Sequence, residues 1–235
     1  MKILCVSDHV DPLVYNTGVR ERFSDIDLVI GAGDLPMEYL GFLASSLNTP
    51  VLFVFGNHNL SHIDNFRPRP SPAIEGSQVD FRFTNTFGST YIHGRIIRAK
   101  GVLIAGLGGS LRYNAGENQF TDGQMYRQVL RMLPRLLWNR LFHGRYVDIL
   151  VTHAAPYGVH DKPDRCHTGF RAFRWFIRRF RPRYLLHGHI HLYDLNARRV
   201  SVVDGTTVIN VYSHYVLDTQ EPPHPSEETT DEQHR

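Results

Sequence analysis

Five short apolar runs in this chain stop abruptly at a carboxylate, an amide or an imidazole, and this punctuation constrains the fold more than any other feature. "KILCVSD", "DLVIGAGD", "VLFVFGNH", "VDILVTH" and "RYLLHGH" read as buried strands. In the first third, helix signals at "GVRERF" and "MEYLGFLASSL" separate the strands. That order is βαβαβ, with parallel strands and right-handed crossovers. Ligands of an open α/β sheet bind outside the carboxyl ends of its strands. The chain therefore delivers Asp8, Asp34, Asn57, His58, His153, His187, His189 and His191 to one sheet edge.

The rest of the chain is punctuated as clearly. "NLSHIDNFRPRPSPAIEGSQ" reads as a long loop. "STYIHGRIIRAK" and "GVLIAGLGG" read as an antiparallel pair turning at Lys100 and Gly101. A helix follows over "TDGQMYRQVLRMLPRLLWNRLFHG", with Thr121 and Gln124 spaced as a capping box. Pro134 inside it is expected to kink the helix, because it lacks an amide proton. A second helix carries Phe170, Phe173, Phe176 and Phe180 on one face, and its arginines read as the wet face. "VSVVDGTTVINVYSHY" is β-like. One domain over 1–217 and a disordered polar tail over 218–235 are the expected organisation.

Composition narrows the function. The chain has 235 residues, and a net charge of +3 is too small to imply a nucleic-acid partner. Two cysteines give no disulfide framework, and Cys5 reads as simply buried. No signal peptide or membrane-spanning run is read, so a cytoplasmic protein with no membrane partner is expected. The 14 histidines are the outlier, and they are scattered as metal ligands would be. Imidazole with carboxylate and no thiolate suits Mn, Fe, Co, Ni or Zn. At least six donors on one edge are enough for two ions, which at about 3.5–4 Å apart stabilise both oxygens of an in-line displacement at phosphorus.

The motifs "SDHV", "AGD", "FGNHN", "VTH" and "GHIH", in this order, resemble the D-x-H, G-D, G-N-H-(D/E), His and G-H-x-H blocks of the calcineurin-like metallophosphoesterase superfamily. The resemblance implies a four-layer α-β-β-α sandwich of two mixed sheets, an arrangement the residues alone do not give. It implies one metal site of Asp8, Asp34 and His191, and a second of Asp34, Asn57, His153 and His189. A hydroxide bridging the two divalent ions would attack a small-molecule phosphate ester, with His58 contacting the phosphate and either protonating the leaving oxygen or stabilising charge on it. Intact "GHIH" favours diesters slightly. A non-catalytic or weakly active scaffold on the same fold is the alternative, whereas a nuclease would need a basic groove or a dedicated nucleic-acid domain.

Two positions depart from the pattern. Val10 stands where the superfamily carries histidine. Three outcomes are open: a twist brings His9 round, Asp11 reaches back directly or through water, or the first site has one ligand fewer. The expected result is an asymmetric pair, with the second site tight and the first loose. Asn59 replaces the usual carboxylate beside the catalytic histidine. Arg112 and Tyr113, following "GLGGS", are the substrate-contact candidates. "GLGGSL" itself reads as a tight turn, and Cys166 with His167 is no dyad by adjacency alone.

Overall fold

Near-continuous apolar strands have to be covered on both faces, and among the described residues of the computed structural model two six-stranded sheets and four α-helices cover one another. It describes residues 1–66, 85–194 and 197–221. Most of the long Pro-rich loop, from residue 67, and of the C-terminal tail, from residue 222, lie outside the described residues.

The first sheet contains β1 (Lys2–Ser7), β2 (Leu28–Gly31), β3 (Val51–Phe53), β4 (Asn85–Thr86), β5 (Ser89–Tyr91) and β14 (Ser213–Asp218), in the order β14-β1-β2-β3-β5-β4. The second contains β6 (Ile96–Ala99), β7 (Val102–Leu107), β10 (Ile149–Thr152), β11 (Tyr184–His187), β12 (Val200–Val203) and β13 (Thr206–Asn210), in the order β12-β13-β11-β10-β7-β6. Each has four parallel strands with an antiparallel strand at either edge. A short parallel pair, β8 (Ser110–Leu111) and β9 (Gln119–Phe120), stands apart.

Side-chain alternation builds the layers. Ile3 and Cys5 of β1 face inward with Leu28, Ile30 and Leu52, and meet Ile104, Ile149, Val151, Leu186 and Ile209 of the other sheet. Leu4 and Val6 face outward, against Val19 of α1 (Val19–Arg22) and Tyr39, Leu40 and Leu43 of α2 (Met37–Leu47). The second sheet's outer face packs on α3 (Asp122–His143) and α4 (Arg171–Phe180). The fold is the four-layer α/β sandwich that the motifs imply.

The helices follow their signals. The Thr121 hydroxyl accepts from Gln124 N–H at 3.2 Å and the Gln124 side chain accepts from Thr121 N–H at 2.9 Å, closing the capping box. The helix runs without interruption through Pro134. Phe170, Phe173, Phe176 and Phe180 are all buried, each contributing roughly 2–3 kcal/mol of apolar burial. Lys100 and Gly101, both at positive φ, form the expected two-residue hairpin turn between β6 and β7. "STYIHGRIIRAK" is not one strand, however. β5 belongs to the first sheet and β6 to the second, and the chain crosses over at His93, Gly94 and Arg95. Asp218, placed with the tail from sequence, ends β14 and pairs with Lys2.

Candidate metal centre

Asp8, Asp34 and Asn57 follow β1, β2 and β3, whereas His153 and His189 follow β10 and β11. The polar residues therefore meet where the carboxyl ends of two packed sheets converge. Asp34, His153 and His189 are buried, and their donor atoms lie within 4.8 Å of one another. His153 Nε2 is 3.3 Å from Asp34 Oδ2 and 3.1 Å from Asn57 Oδ1.

Two backbone carbonyls set the imidazole tautomers. His153 Nδ1–H donates to Ala32 O at 2.9 Å, and His189 Nε2–H donates to Cys166 O at 2.7 Å. A carbonyl can only accept, so the neutral rings keep lone pairs at His153 Nε2 and His189 Nδ1. The backbone is strained to hold this arrangement, with Asp8, Asp34 and His189 at φ of 63°, 58° and 65°. Asp8 and His189 share one motif. His9 N–H bonds Ser7 O across Asp8, and Ile190 N–H bonds Gly188 O across His189. Each ligand candidate therefore sits at the centre of a positive-φ γ-turn.

The electrostatics are compatible with a buried cation. Burial raises the Asp34 pKa, but the His153 imidazolium and the His58 amide outweigh it and hold the carboxyl at about 2. Burial likewise lowers His153, yet Asp34 and then Asp8 lift it to about 9. Burial and the neighbouring His153 charge push His189 down to about 3. Asp8 is raised, mainly by burial, against the opposing pull of His153 and Ser7. A proton on His153 thus offsets a carboxylate that a divalent ion would offset equally well. Two neutral imidazole nitrogens and a carboxylate form a donor set that fits Mn, Fe, Co, Ni or Zn.

Asp8 and His191 form the flank. Asp8 Oδ1 lies 3.8 Å from His191 Nε2, and His191 Nδ1 is bonded to the Tyr193 hydroxyl at 2.6 Å. The Asp8 carboxylate already accepts His189 N–H at 3.0 and 2.9 Å and Ser7 Oγ–H at 2.5 Å. His58 donates its backbone N–H to Asp34 Oδ1 at 2.7 Å and leaves its ring exposed. Tyr113 reaches the centre, its hydroxyl accepting from Asn57 Nδ2 at 3.2 Å.

Two sequence candidates are directed elsewhere. Asp11 accepts from Leu13 N–H at 2.8 Å, Ser213 Oγ–H at 2.7 Å and the His214 ring at 2.5 Å. Its carboxylate anchors the first turn to the start of β14. Arg112 is bonded to Gln119 O at 3.2 Å and Gln124 Oε1 at 3.1 Å, bracing the start of α3. His9 packs toward Tyr212 and Ser213, and Val10 joins the apolar cluster under α2.

Several supporting groups escape sequence reading. Ser7 Oγ holds Asp8, and Asn118 Nδ2 donates to Gly56 O at 2.6 Å beneath the Asn57 turn. Cys166 contributes only a carbonyl, for which a sequence carries no side-chain signal. His187 is buried against His160, 2.9 Å apart through their ring nitrogens, and His160 bonds Ser201 at 2.8 Å. A cavity of about 660 Å³, lined by His160, Lys162, His191, Tyr193, Arg198 and Val202, opens beside the centre.

Residues 1–193 match the family model described as calcineurin-like phosphoesterase. The chain belongs to that family. The calcineurin-like phosphoesterase match spans every motif block, from Asp8 to His191. Solved structures agree on the fold. One covers 93% of this chain and 95% of its own at a TM-score of 0.62 and 14% identity. TT1561 of Thermus thermophilus covers 90% and 89% at a TM-score of 0.54 and 13% identity. No curated protein matches the chain.

Proposed function

We propose that this calcineurin-like phosphoesterase hydrolyses a small-molecule phosphate ester, with diesters slightly preferred, using two divalent ions and no covalent enzyme intermediate. The buried Asp34–His153–His189 group carries the reading, because its three donors converge, with a lone pair at His189 Nδ1, a carboxylate already ionised and a His153 Nε2 that gives up its proton to an incoming ion. Asn57 Oδ1 completes this tighter site, and Asp34, Asp8 and His191 form the looser one. Ions bound there would supply Lewis acidity toward phosphoryl oxygens and make water a better nucleophile.

The protein's own groups do the remaining work. Asp34 is held at one oxygen by His58 N–H and at the other by His153, so its position does not depend on substrate. The exposed His58 ring meets the leaving oxygen and protonates it. Tyr113 orients Asn57 through its hydroxyl. The cavity beside His191 receives the organic part of the ester.

Hydrolysis of an aryl phosphodiester and its monoester in Mn²⁺, with Asp34→Ala as control, tests the reading. Turnover by the wild type alone supports it, and the ratio of the two rates reports the diester preference. Absence of turnover with any of the five metals would leave a binding scaffold as the better description. The asymmetry has its own test: metal titration should show one tight and one loose ion, and two equally tight sites would overturn it.

A further inference from the structure

A helix lying on a domain surface normally turns apolar residues inward and polar residues to water. Helix α3 turns apolar residues both ways. Met125, Val129, Met132 and Leu136 pack onto the second sheet. On the opposite pole, Leu130, Leu137, Trp138, Leu141 and Phe142 are 49–76% exposed. At the α-helical repeat, Leu130, Pro134, Leu137, Trp138 and Leu141 fall within an arc of roughly 100°. The Trp138 and Phe142 rings lie 4.1 Å apart, joining the stripe into a continuous patch. Single exposed hydrophobics are ordinary, but a contiguous patch marks a contact surface.

The charges beside the patch identify its partner. Arg131 and Arg135 run along one side and Arg140 along the other, Arg127 sits about one turn before the patch, and no acidic residue occurs from Gly123 to Val147. A second copy of the chain packing on this face about a two-fold axis would set the arginines of one α3 against those of the other, and α3 carries no acid beyond Asp122 to pair them. An anionic bilayer surface meets both requirements. Phospholipid headgroups pair with the arginines, while Trp138, Leu141 and Phe142 enter the headgroup–acyl boundary. We propose that α3 docks the protein on anionic lipid surfaces.

No described helix is long and apolar enough to cross a membrane, and surface docking needs none. The expectation of no membrane partner considers spanning segments alone.

Co-sedimentation of the full chain with lipid vesicles tests the proposal. Binding is expected to phosphatidylglycerol-containing vesicles and not to pure phosphatidylcholine, and to weaken with salt. Leu141→Ser with Phe142→Ser should lower partitioning about tenfold or more. Arg131→Glu and Arg135→Glu should each lower it roughly fivefold. These side chains are exposed, so the variants should keep the wild-type melting temperature. Failure to bind anionic vesicles, equal binding to neutral ones, or a dimer in light scattering that Leu141→Ser dissociates would each overturn the proposal.

Discussion

The backbone amide of His189 donates to both carboxylate oxygens of Asp8, at 3.0 and 2.9 Å. Each of the two residues is the positive-φ centre of its own γ-turn, so the two turns brace one another face to face. The bond crosses from the first sheet to the second and fixes the distance between the two halves of the candidate centre.

Gly188 is where this contact leaves no room. A β-carbon there would overlap Ser7 Oγ and Asp8 Oδ2. Gly188→Ala should destabilise the protein by about 1–3 kcal/mol and lower its bound metal. Thermal melts and elemental analysis would show both effects, and an unchanged melt would mean that the turns do not meet this closely.

Asn59 is matched to its place. Its Nδ2 donates to Asp34 O at 2.8 Å, and a carboxylate has no proton to give. Asn59→Asp restores the family's usual charge but sets an oxygen against a carbonyl. We expect a loss of about 1–2 kcal/mol and no gain in kcat. A faster and equally stable variant would contradict the assignment.

His58→Ala should lower kcat by roughly 10²- to 10⁴-fold, the usual worth of a general acid. Metal content should be unchanged, because the Asp34 contact comes from the backbone N–H, which alanine retains. Loss of metal along with activity would instead make His58 a structural residue.

Metal binding has to displace the His153 proton. With that group raised to about 9, metal affinity should climb about tenfold per pH unit toward pH 9 and then level. Calorimetry near pH 8 in buffers of differing ionisation heat should report close to one proton released per tight ion. His153 also acts on folding with a definite sign. In metal-free protein the His153 contribution is complete below about pH 6.5, the ordinary histidine value, and is lost as pH rises through about 9.

Acid should act in the opposite direction through other histidines. Burial lowers His93, stacked between Tyr91 and Phe120, and His160, beside His187, to about 4. Between about pH 6.5 and 4 the unfolded chain binds protons that the native state does not, so stability falls with falling pH. Each ring adds up to about 1.4 kcal/mol per pH unit to that slope. His93→Gln should flatten the slope measured by urea unfolding, and an unaltered slope would exclude the ring as a source.

Strand ends and donors were legible in the sequence because each buried run stops at its functional residue, as at Asp34 and His153. The capping box at Thr121 and the turn at Lys100 and Gly101 were equally local signals. Sheet membership was not local. Periodicity cannot say which sheet a strand joins, so "STYIHGRIIRAK" hid a crossover at Gly94. Strand alternation also ends at Asp8, whose φ of 63° takes His9 out of the simple inward–outward pattern. Asp11 is bonded to Ser213 and His214, 202 and 203 residues away in sequence, contacts that no local pattern could announce.

Assembly of the centre has a consequence for biosynthesis. Asn57 and His153, in hydrogen-bond contact, are 96 residues apart, and Asp8 and His189 are 181 apart. A nascent chain exposes Asp8, Asp34 and Asn57 long before either imidazole has been made. Oxygen donors alone hold transition metals weakly, so the emerging half-domain gives a passing ion little to hold. Tight metal capture has to wait until the second sheet has been synthesised and docked, which makes metal retention a late signal that the whole chain has folded.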